Sequence, residues 1–414
     1  MSERVHATYW METGGDPVRT AEIIAGEQSS GTFVQLATET AELKQRSGAR
    51  VERLDIGAAA DAPSLPGAMP SNRYIRAHLE LSWPVENFGP SLPNLMSTIA
   101  GNLFELHQVS GLRLIDLKLP ASFTSAFAGP AFGVRGTRQL TGVMRGPVIG
   151  TIIKPSIGLT AEETAEQVRE LIAGGIDFIK DDELQADGAR CPFAERVKAV
   201  MRVVNDAADR QGRKVMLAFN ITGDLDEMRR RHDLVLAHGG TCVMVCLNSI
   251  GLVGVRALAR HSQLPLHGHR AGWGTLSRCP ALGWDYAPWQ QMWRLAGVDH
   301  LHVNGLDNKF SESNDSVIAA ARAVLAPVNA LAEMPAMPVF SSGQTGRQAA
   351  QTHAALGCAD LIHTAGGGIF GHPAGVEAGV EALRAAWRAA IAGTSLEDEA
   401  DRNPALRAAL GFWR

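Results

Sequence analysis

The strongest constraint on the fold is an alternation of short apolar runs and helical stretches that begins near residue 146. Segments such as "TAEETAEQVRELIAGG" have helical period, with Thr160 and Glu163 as a capping pair and Gly174 at the end. Eight such βα units in roughly 245 residues predict a (β/α)8 (TIM) barrel, since doubly wound sheets have fewer strands. The eight strand candidates are PVIGTIIKP, IDFIKDDE, VMLAFNIT, CVMVCLNS, LPLHGHR, DHLHVNG, PVFSSG and LIHTAGGG.

The chain before this alternation has a different character. It offers one helix candidate near 17–26 and three strand-like runs, GTFVQLA, ARVERLDI and RAHLELSW. We therefore predict an α/β protein with two domains, an N-terminal α+β domain of the ferredoxin-like kind at 1–138 and the barrel at 139–414.

Composition narrows the possible partners and compartment. The formal net charge is −4 with both signs interspersed, which argues against a nucleic-acid partner. The five cysteines form no CxxC pair, a usage that fits a reducing cytoplasm. No run of 18 apolar residues occurs, so we expect no membrane association and a cytoplasmic location.

Polar residues collect where the predicted strands end, which is where barrel enzymes build their active sites. A salt bridge or a buried histidine explains any single one of them, but packing does not explain the whole set. The residues, in strand order, are Lys154; Lys180, Asp181, Asp182 and Glu183; Asn220; His267, His269 and Arg270; His300 and His302; Ser341 and Ser342; and Gly366, Gly367 and Gly368.

The glycine-rich turns after strands 7 and 8, "SSGQTG" and "GGGIFGHPAG", leave backbone N–H groups accessible beside predicted helix starts. Such turns also serve simply as connections. As a neighbouring pair in one barrel they favour a phosphate site.

The second strand ends in one lysine and three carboxylates, "GGIDFIKDDE". Residues two apart face the same way, so Lys180 and Asp182 share a side, Glu183 follows, and Asp181 points elsewhere. Asp182 and Glu183 make half of an oxygen site suited to Mg2+. Lys180 either neutralises Asp182 in a salt bridge or takes up CO2 as a carbamate, and composition does not decide between the two.

At this point the sequence resembles the ribulose-bisphosphate carboxylase (RuBisCO) large-subunit superfamily. The resemblance spans almost the whole chain, and it implies an α+β N-terminal domain, an eightfold barrel and active sites shared across a head-to-tail homodimer. Its motifs are GEQSSGTF (26–33), NLMSTIAGN (94–102), GTIIKPSIGL, GGIDFIKDDE, HGHR (267–270), DHLH (299–302), PVFSSG (338–343) and AGGGIFGHPAG (365–375).

Carried over by position, the resemblance implies a carbamylated Lys180 that binds Mg2+ together with Asp182 and Glu183. It makes Lys154 the acid/base group and Lys309 the lysine of a mobile loop, and it places His269 with Lys154, Lys180 and Lys309 among the catalytic residues. The implied substrate-binding residues are His269, Arg270 and His302 at one end; Ser341, Gly343, Gly366 and Gly367 at the other; and Glu27, Thr32 and Asn94 from the partner subunit.

Several positions depart from the carboxylase pattern. Ser156 stands where the carboxylase has a second lysine, and Phe33 replaces a tryptophan. The loop "VNGLDNKFSES" lacks the usual glycine before Lys309 and the acidic residue shortly after it. These departures imply a RuBisCO-like protein (form IV) that does not fix carbon and needs no small subunit.

Within the RuBisCO-like proteins, the methionine-salvage enolases are a distant match, because Asn102 occupies the position of their catalytic lysine. Arg270 and His302 resemble the branch linked to apiose catabolism instead. We therefore expect decarboxylation or hydrolytic cleavage of a phosphorylated β-keto acid of the 3-oxo-isoapionate 4-phosphate type, through an enediolate. The alternatives are an enolase or isomerase acting on a methylthiopentose phosphate, and a catalytically idle scaffold.

Overall fold

The computed structural model describes residues 3–32, 34 and 36–413. Its strands are β1 (Arg4–Thr13), β2 (Arg50–Ala60), β3 (Tyr74–Pro84), β4 (Val109–Lys118), β5 (Val148–Ile152), β6 (Phe178–Lys180), β7 (Met216–Asn220), β8 (Cys242–Cys246), β9 (Leu266–His269), β10 (Leu282–Trp284), β11 (His300–His302), β12 (Met337–Phe340) and β13 (Ile362–Thr364).

The helices are α1 (Pro17–Glu27), α2 (Ala41–Ser47), α3 (Leu92–Ala100), α4 (Ala121–Thr124), α5 (Gly133–Thr141), α6 (Ala161–Ala173), α7 (Phe193–Gln211), α8 (Leu225–Ala237), α9 (Leu247–Ala259), α10 (Trp273–Ser277), α11 (Tyr286–Ala296), α12 (Asn314–Leu325), α13 (Ala349–Leu356), α14 (Gly366–Phe370), α15 (Val376–Ala392), α16 (Leu396–Arg402) and α17 (Pro404–Phe412). Within the described ranges, none of these helices is long and apolar enough to cross a membrane.

The chain divides into two compact units at places other than the predicted boundary of 138/139. The first unit runs to Ala128 and also takes in Gly272–Leu295 and Pro327–Glu333. The second unit holds Gly129–Ala271, Ala296–Ala326 and Met334 onward. Two segments of the predicted barrel domain therefore belong to the first unit.

The first unit is built on a five-stranded sheet in the order β10-β4-β1-β3-β2. Strands β1 to β4 pair antiparallel in the ferredoxin-like arrangement, whereas β10 adds to the edge of β4 in parallel. The predictions of α1, β2 and β3 are confirmed. The run GTFVQLA is wrong as a strand, since its described residues are irregular; Phe33 and Gln35 lie outside the described residues.

The second unit contains a closed barrel in the order β5-β6-β7-β8-β9-β11-β12-β13. All eight predicted barrel strands are confirmed, although most are shorter than the apolar runs that indicated them. Burial explains the apolar runs, because side chains on both faces of a parallel sheet are covered. A fully buried core cluster is formed by Val148, Phe178, Met216, Ala218, Cys242, Met244, Met337, Val339 and Ile362.

Helix α6 begins with the capping pair that the sequence predicted. The backbone N–H of Thr160 donates to Glu163 Oε2 at 2.8 Å, and the N–H of Glu163 donates to Thr160 Oγ1 at 3.3 Å. These bonds satisfy two of the backbone donors that a helix start leaves without partners.

Helix α5 is fixed at the end of the barrel where the strands begin. Asp299, just before β11, accepts the backbone N–H groups of Phe132 and Gly133 at 2.6 and 2.9 Å and that of Leu266 at 2.8 Å. Burial raises the pKa of Asp299 to about 6, against the effect of these three donors. Val134 of α5 packs against the core cluster, so the helix covers the base of the barrel.

Candidate active site

Lys180 ends β6 with its side chain buried in the second unit. Its Nζ donates to the carbonyl of Asp181 at 2.7 Å and lies 3.4 Å from Glu183 Oε2. Burial lowers the pKa of Lys180, although the charges of Glu183 and Asp182 act in the opposite direction. The environment therefore favours a neutral amine more than water does.

Asp182 follows on the loop and receives a second lysine. Lys154, just past the end of β5, donates from Nζ to Asp182 Oδ2 at 2.7 Å and to Ser156 Oγ at 3.0 Å. Burial alone would raise the pKa of Asp182, but the hydrogen bonds from Lys154 and from the N–H of Leu184 lower it overall. Asp182 is thus held as a carboxylate.

Asp181 points away from these groups, as its place in the strand alternation predicted. Its Oδ2 contacts the guanidinium of Arg196 at 3.2 Å and accepts the backbone N–H of Asn220 at 3.0 Å. Both charged side chains are buried, and Arg196 also donates to the carbonyl of Ala186 at 2.9 Å. The pair fixes the loop that carries Asp182 rather than joining the reactive groups.

Asn220 at the end of β7 supports the same loop. Its Nδ2 donates to the carbonyls of Asp182 and Glu183 at 3.3 and 3.1 Å, while its Oδ1 accepts from the Thr222 hydroxyl at 2.7 Å. The sequence placed Asn220 at a strand end without giving it a role, and the structure gives it a positioning one.

His269 brings the end of β9 to the same cluster. Its Nε2 lies 3.4 Å from Glu183 Oε2. Burial, followed by the charge of Lys180, lowers the pKa of His269 to about 3, so the ring is neutral near pH 7. Its ring is also packed edge-on against His302, with 4.6 Å between centroids.

His302 on β11 links the strand ends on the far side of the barrel. Its Nδ1 lies 3.1 Å from Ser341 Oγ at the end of β12, and its Nε2 lies 2.7 Å from His267 Nε2. His267 itself, one of the polar residues noted in the sequence, received no predicted role. Its inward direction becomes visible only once β9 and β11 are paired.

The loop after β11 supplies an acid that the motif comparison overlooked. Glu312, three residues beyond Lys309, forms an ion pair with Arg270 and accepts from Asn304 Nδ2 at 2.8 Å. The expectation that this loop lacks an acidic residue shortly after its lysine is therefore wrong, because Glu312 follows Lys309 by three residues. Glu312 fixes the guanidinium that was predicted to bind substrate.

Lys309 itself is exposed on this loop. Its backbone N–H donates to the carbonyl of Ser342 at 3.3 Å, which joins the loop to the turn after β12. In that turn Gly343 has a φ of +81°, a conformation that favours glycine. A Cβ at Gly343 would lie 3.6 Å from the Cβ of Lys309.

The glycines after β13 close the ring of strand ends. Gly366 and Gly367 begin α14, and a Cβ at Gly366 would lie 3.5 Å from Lys154 Cε. A Cβ at Gly367 would meet nothing within 4 Å, so the backbone there borders open space. The small residues leave room beside Lys154.

The structure thus brings together Lys154, Lys180, Asp182, Glu183 and His269 through direct contacts, with Gly366 beside them. Of the remaining predicted groups of the barrel, Ser341 contacts His302, Arg270 pairs with Glu312, and Lys309 contacts the Gly343 turn. Gly367 borders open space beside Gly366. Glu27, Thr32 and Asn94 lie exposed in the first unit. Asn94 Nδ2 donates to the Phe88 carbonyl at 3.5 Å, and Thr32 Oγ1 contacts Glu39.

Residues 133–413 match the family described as the ribulose bisphosphate carboxylase large chain, catalytic domain, and residues 3–123 match its N-terminal domain. The chain belongs to the ribulose bisphosphate carboxylase large-chain family. Its resemblance to the apiose branch of this family is confirmed by the relatives that follow.

Over 414 residues the chain is 86% identical to the 3-oxo-isoapionate-4-phosphate transcarboxylase/hydrolase of Xanthobacter autotrophicus, with 100% of both chains covered. It is 44% identical over 405 residues to the 3-oxo-isoapionate-4-phosphate decarboxylase of Rhizobium etli, covering 97% of each. Among solved structures, a rubisco-like protein from Burkholderia fungorum superposes with a TM-score of 0.94 at 47% identity, covering 99% of this chain and 100% of that one.

Proposed function

We propose that this protein is an Mg2+-dependent enzyme that decarboxylates or hydrolytically cleaves 3-oxo-isoapionate 4-phosphate, a phosphorylated β-keto acid, through an enediolate. The observation that carries the proposal is the 86% identity, over the whole chain, to the Xanthobacter protein named 3-oxo-isoapionate-4-phosphate transcarboxylase/hydrolase. The strand-end cluster supports it, because it combines two carboxylates, a buried amine and a lysine that reaches them.

The donor set around Lys180 fits Mg2+. Asp182 and Glu183 offer carboxylate oxygens, which are the ligands that this ion prefers. Lys180 is buried with a lowered pKa, so its neutral amine can add to CO2, lose one proton and become a carbamate with two further oxygens. Bound Mg2+ would stabilise negative charge that develops on the substrate oxygens during C–C cleavage.

Lys154 is suited to move the proton of this reaction. Its side chain is 39% exposed, and the contacts with Asp182 and Ser156 hold Nζ in place. After loss of CO2, or after water adds to the ketone and the C–C bond breaks, the carbon that receives the electron pair needs a proton. We assign that proton to Lys154 Nζ.

Binding of the phosphorylated substrate falls to the surrounding groups. Lys309 and Arg270 supply positive charge, His269 supplies a ring nitrogen, and the turns at Gly343, Gly366 and Gly367 supply backbone N–H groups. The two ring nitrogens of His302 contact Ser341 and His267, so His302 acts on the substrate through the Ser341 hydroxyl. Ser341 belongs to the same region. We further propose that Glu27, Thr32 and Asn94 complete the site across a homodimer, without a small subunit, in a cytoplasmic enzyme.

The test is an assay of 3-oxo-isoapionate 4-phosphate with Mg2+ and bicarbonate in water enriched in oxygen-18. Decarboxylation releases CO2, whereas hydrolytic cleavage gives two acids, one of which carries a solvent oxygen in its new carboxylate. Lys154→Met is the matched control, because it keeps the carboxylates that would bind metal. If the native protein yields neither CO2 nor a cleavage product, the proposed substrate is wrong.

A further inference from the structure

A line of hydrogen-bonding side chains crosses the interior of the barrel from the candidate active site to its base. Every neighbouring pair is within contact distance, and all five side chains are buried. From the active-site end the pairs are Ser341 Oγ to His302 Nδ1, 3.1 Å; His302 Nε2 to His267 Nε2, 2.7 Å; His267 Nδ1 to His300 Nδ1, 3.4 Å; and His300 Nε2 to Thr137 Oγ1, 2.8 Å.

At the base of the barrel, the surroundings of Thr137 fix the direction of the hydrogen bond between Thr137 and His300. Thr137 Oγ1 lies 2.5 Å from the carbonyl of Gly133, one turn earlier in α5, and a carbonyl can only accept. The single hydroxyl proton of Thr137 is therefore committed to Gly133. His300 Nε2 must then carry a proton and donate it to Thr137.

The direction propagates because the rings are neutral. Burial lowers the pKa of His300 to about 3 and lowers those of His267 and His302 well below their usual value. A neutral imidazole has one donor and one acceptor nitrogen. His300 Nδ1 therefore accepts from His267 Nδ1.

The same step repeats along the two remaining rings. His267 Nε2, without a proton, accepts from His302 Nε2, and His302 Nδ1 then accepts from the Ser341 hydroxyl. The neighbouring Ser342 donates its own hydroxyl proton to Asn304 Oδ1 at 2.8 Å, so it does not compete for His302 Nδ1. As an acceptor for the Ser341 proton, Ser342 Oγ lies farther away, at 3.4 Å, than His302 Nδ1, at 3.1 Å.

We propose that Thr137, His300 and His267 are positioning residues that fix the tautomer of His302 and the direction of the Ser341 hydroxyl at the active site. The order of donors runs one way only, from Ser341 down to the Gly133 carbonyl. Ser341 consequently offers its oxygen lone pairs to the ligand, and so accepts from a hydroxyl donor rather than binding the oxygens of a phosphate dianion. This inference rests on the proposed function for its ligand, but the tautomers are a property of the protein alone.

The decisive variant is Thr137→Val, which keeps the shape of residue 137 and removes its hydroxyl. A buried N–H without an acceptor is less tolerable than a bare nitrogen, so His300 will move its proton to Nδ1. His267 and His302 will follow, and Ser341 will become a donor. Replacing one hydroxyl by a methyl group at the base of the barrel thereby reverses the direction of every hydrogen bond up to Ser341.

Two-bond proton–nitrogen NMR spectra of protein labelled with nitrogen-15 in histidine distinguish the two tautomers directly. In the native protein we expect His302 and His300 protonated at Nε2 and His267 at Nδ1, with all three reversed in Thr137→Val. Thr137→Ser, which restores a hydroxyl, should restore the native pattern. Thr141→Val is the matched control, since Thr141 is buried in the same helix and its hydroxyl donates to the Thr137 carbonyl at 2.9 Å, outside the line.

Kinetics give the second readout. Thr137→Val should lower kcat/KM by at least about fivefold, chiefly through KM, while Thr141→Val and Thr137→Ser stay close to native. A native spectrum with His267 protonated at Nε2 would overturn the inference by itself, even if Thr137→Val does not fold. A Thr137→Val spectrum unchanged from native would overturn it as well. Absence of any turnover by the native enzyme would instead overturn the proposed function and leave the tautomer result standing.

Discussion

His363 provides a quantitative test of how burial controls stability in this barrel. It lies on β13, where its Nδ1 accepts the indole N–H of Trp387 at 2.7 Å. An indole nitrogen only donates, so Nδ1 carries no proton in the folded protein. Burial lowers the pKa of His363 to about 3.

The magnitude follows from proton linkage. An unfolded histidine has a pKa of about 6.5, so between that value and about 3 the unfolded chain binds a proton that the folded chain excludes. The stabilisation is thus fully present above the unfolded pKa and is lost as the pH falls below it. At about pH 5 the loss from this one side chain is about 2 kcal/mol of unfolding free energy.

The assay compares native protein with His363→Asn by urea unfolding between about pH 7.5 and pH 5. The Oδ1 of asparagine can accept from Trp387 in place of Nδ1 but does not titrate. The smaller side chain of asparagine can lower the unfolding free energy by a constant amount at every pH. The test compares only how the unfolding free energy changes with pH. We expect the native protein to lose about 2 kcal/mol more than the variant on acidification.

Trp387→Phe separates the two possible causes of the shift. It removes the indole donor but keeps the ring burial, so its pH slope should match that of the native protein at a lower overall stability. Parallel native and His363→Asn curves would refute the reasoning, since they would mean that the folded protein accepts the proton on His363 as readily as the unfolded chain does.

Three further predictions concern the strand-end cluster and the loop that carries Asp182. Carbon-13 NMR in the presence of labelled CO2 and Mg2+ should reveal a carbamate in native protein that is absent from Lys180→Met, and no signal in either would contradict carbamylation. Lys154→Met should lower kcat by about 10²–10⁴ while Mg2+ affinity measured by calorimetry stays within a few-fold of native, and a near-native kcat would exclude Lys154 as the proton donor. Arg196→Met should lower the unfolding free energy by about 3–5 kcal/mol, because it leaves Asp181 buried without its cation, and Arg196→Met with Asp181→Asn should recover part of that loss in urea unfolding.

The barrel was predictable because its strands are short, buried and separated by helices of clear period. The alternation of β6 also predicted correctly that Asp181 turns away from Lys180 and Asp182, a consequence of strand geometry alone. Residue types at strand ends located the candidate site before any three-dimensional information. They did so because parallel strands bring their carboxyl ends to one face.

Pairings between distant segments were not predictable in the same way. Nothing in "HGHR" reveals that His267 contacts His302, because that contact depends on the pairing of β9 with β11. The ion pair of Arg270 with Glu312 depends likewise on the path of a loop. Strand β1 was missed although Val5, Ala7, Tyr9 and Met11 alternate as buried positions.

Strand β10 was beyond sequence reasoning for another reason. Three residues, Leu282–Trp284, are too few for any periodic signal, and their partner β4 lies far away along the chain. Arg113 of β4 ties this strand down, donating to the carbonyls of Leu282 and Trp284 at 3.1 and 2.7 Å and to Asp285 Oδ1 at 2.5 Å. The sequence contains these partners but not their proximity.

The place of β10 also orders events during synthesis. A ribosome that has released only the first 128 residues has delivered four strands of the first unit, but the edge of β4 has no partner until residues 282–284 emerge. During that interval five barrel strands are synthesised while the edge of β4 stays unpaired and can pair with other chains. Nascent chains arrested before residue 295 should therefore aggregate more, and need chaperones more, than chains arrested after it.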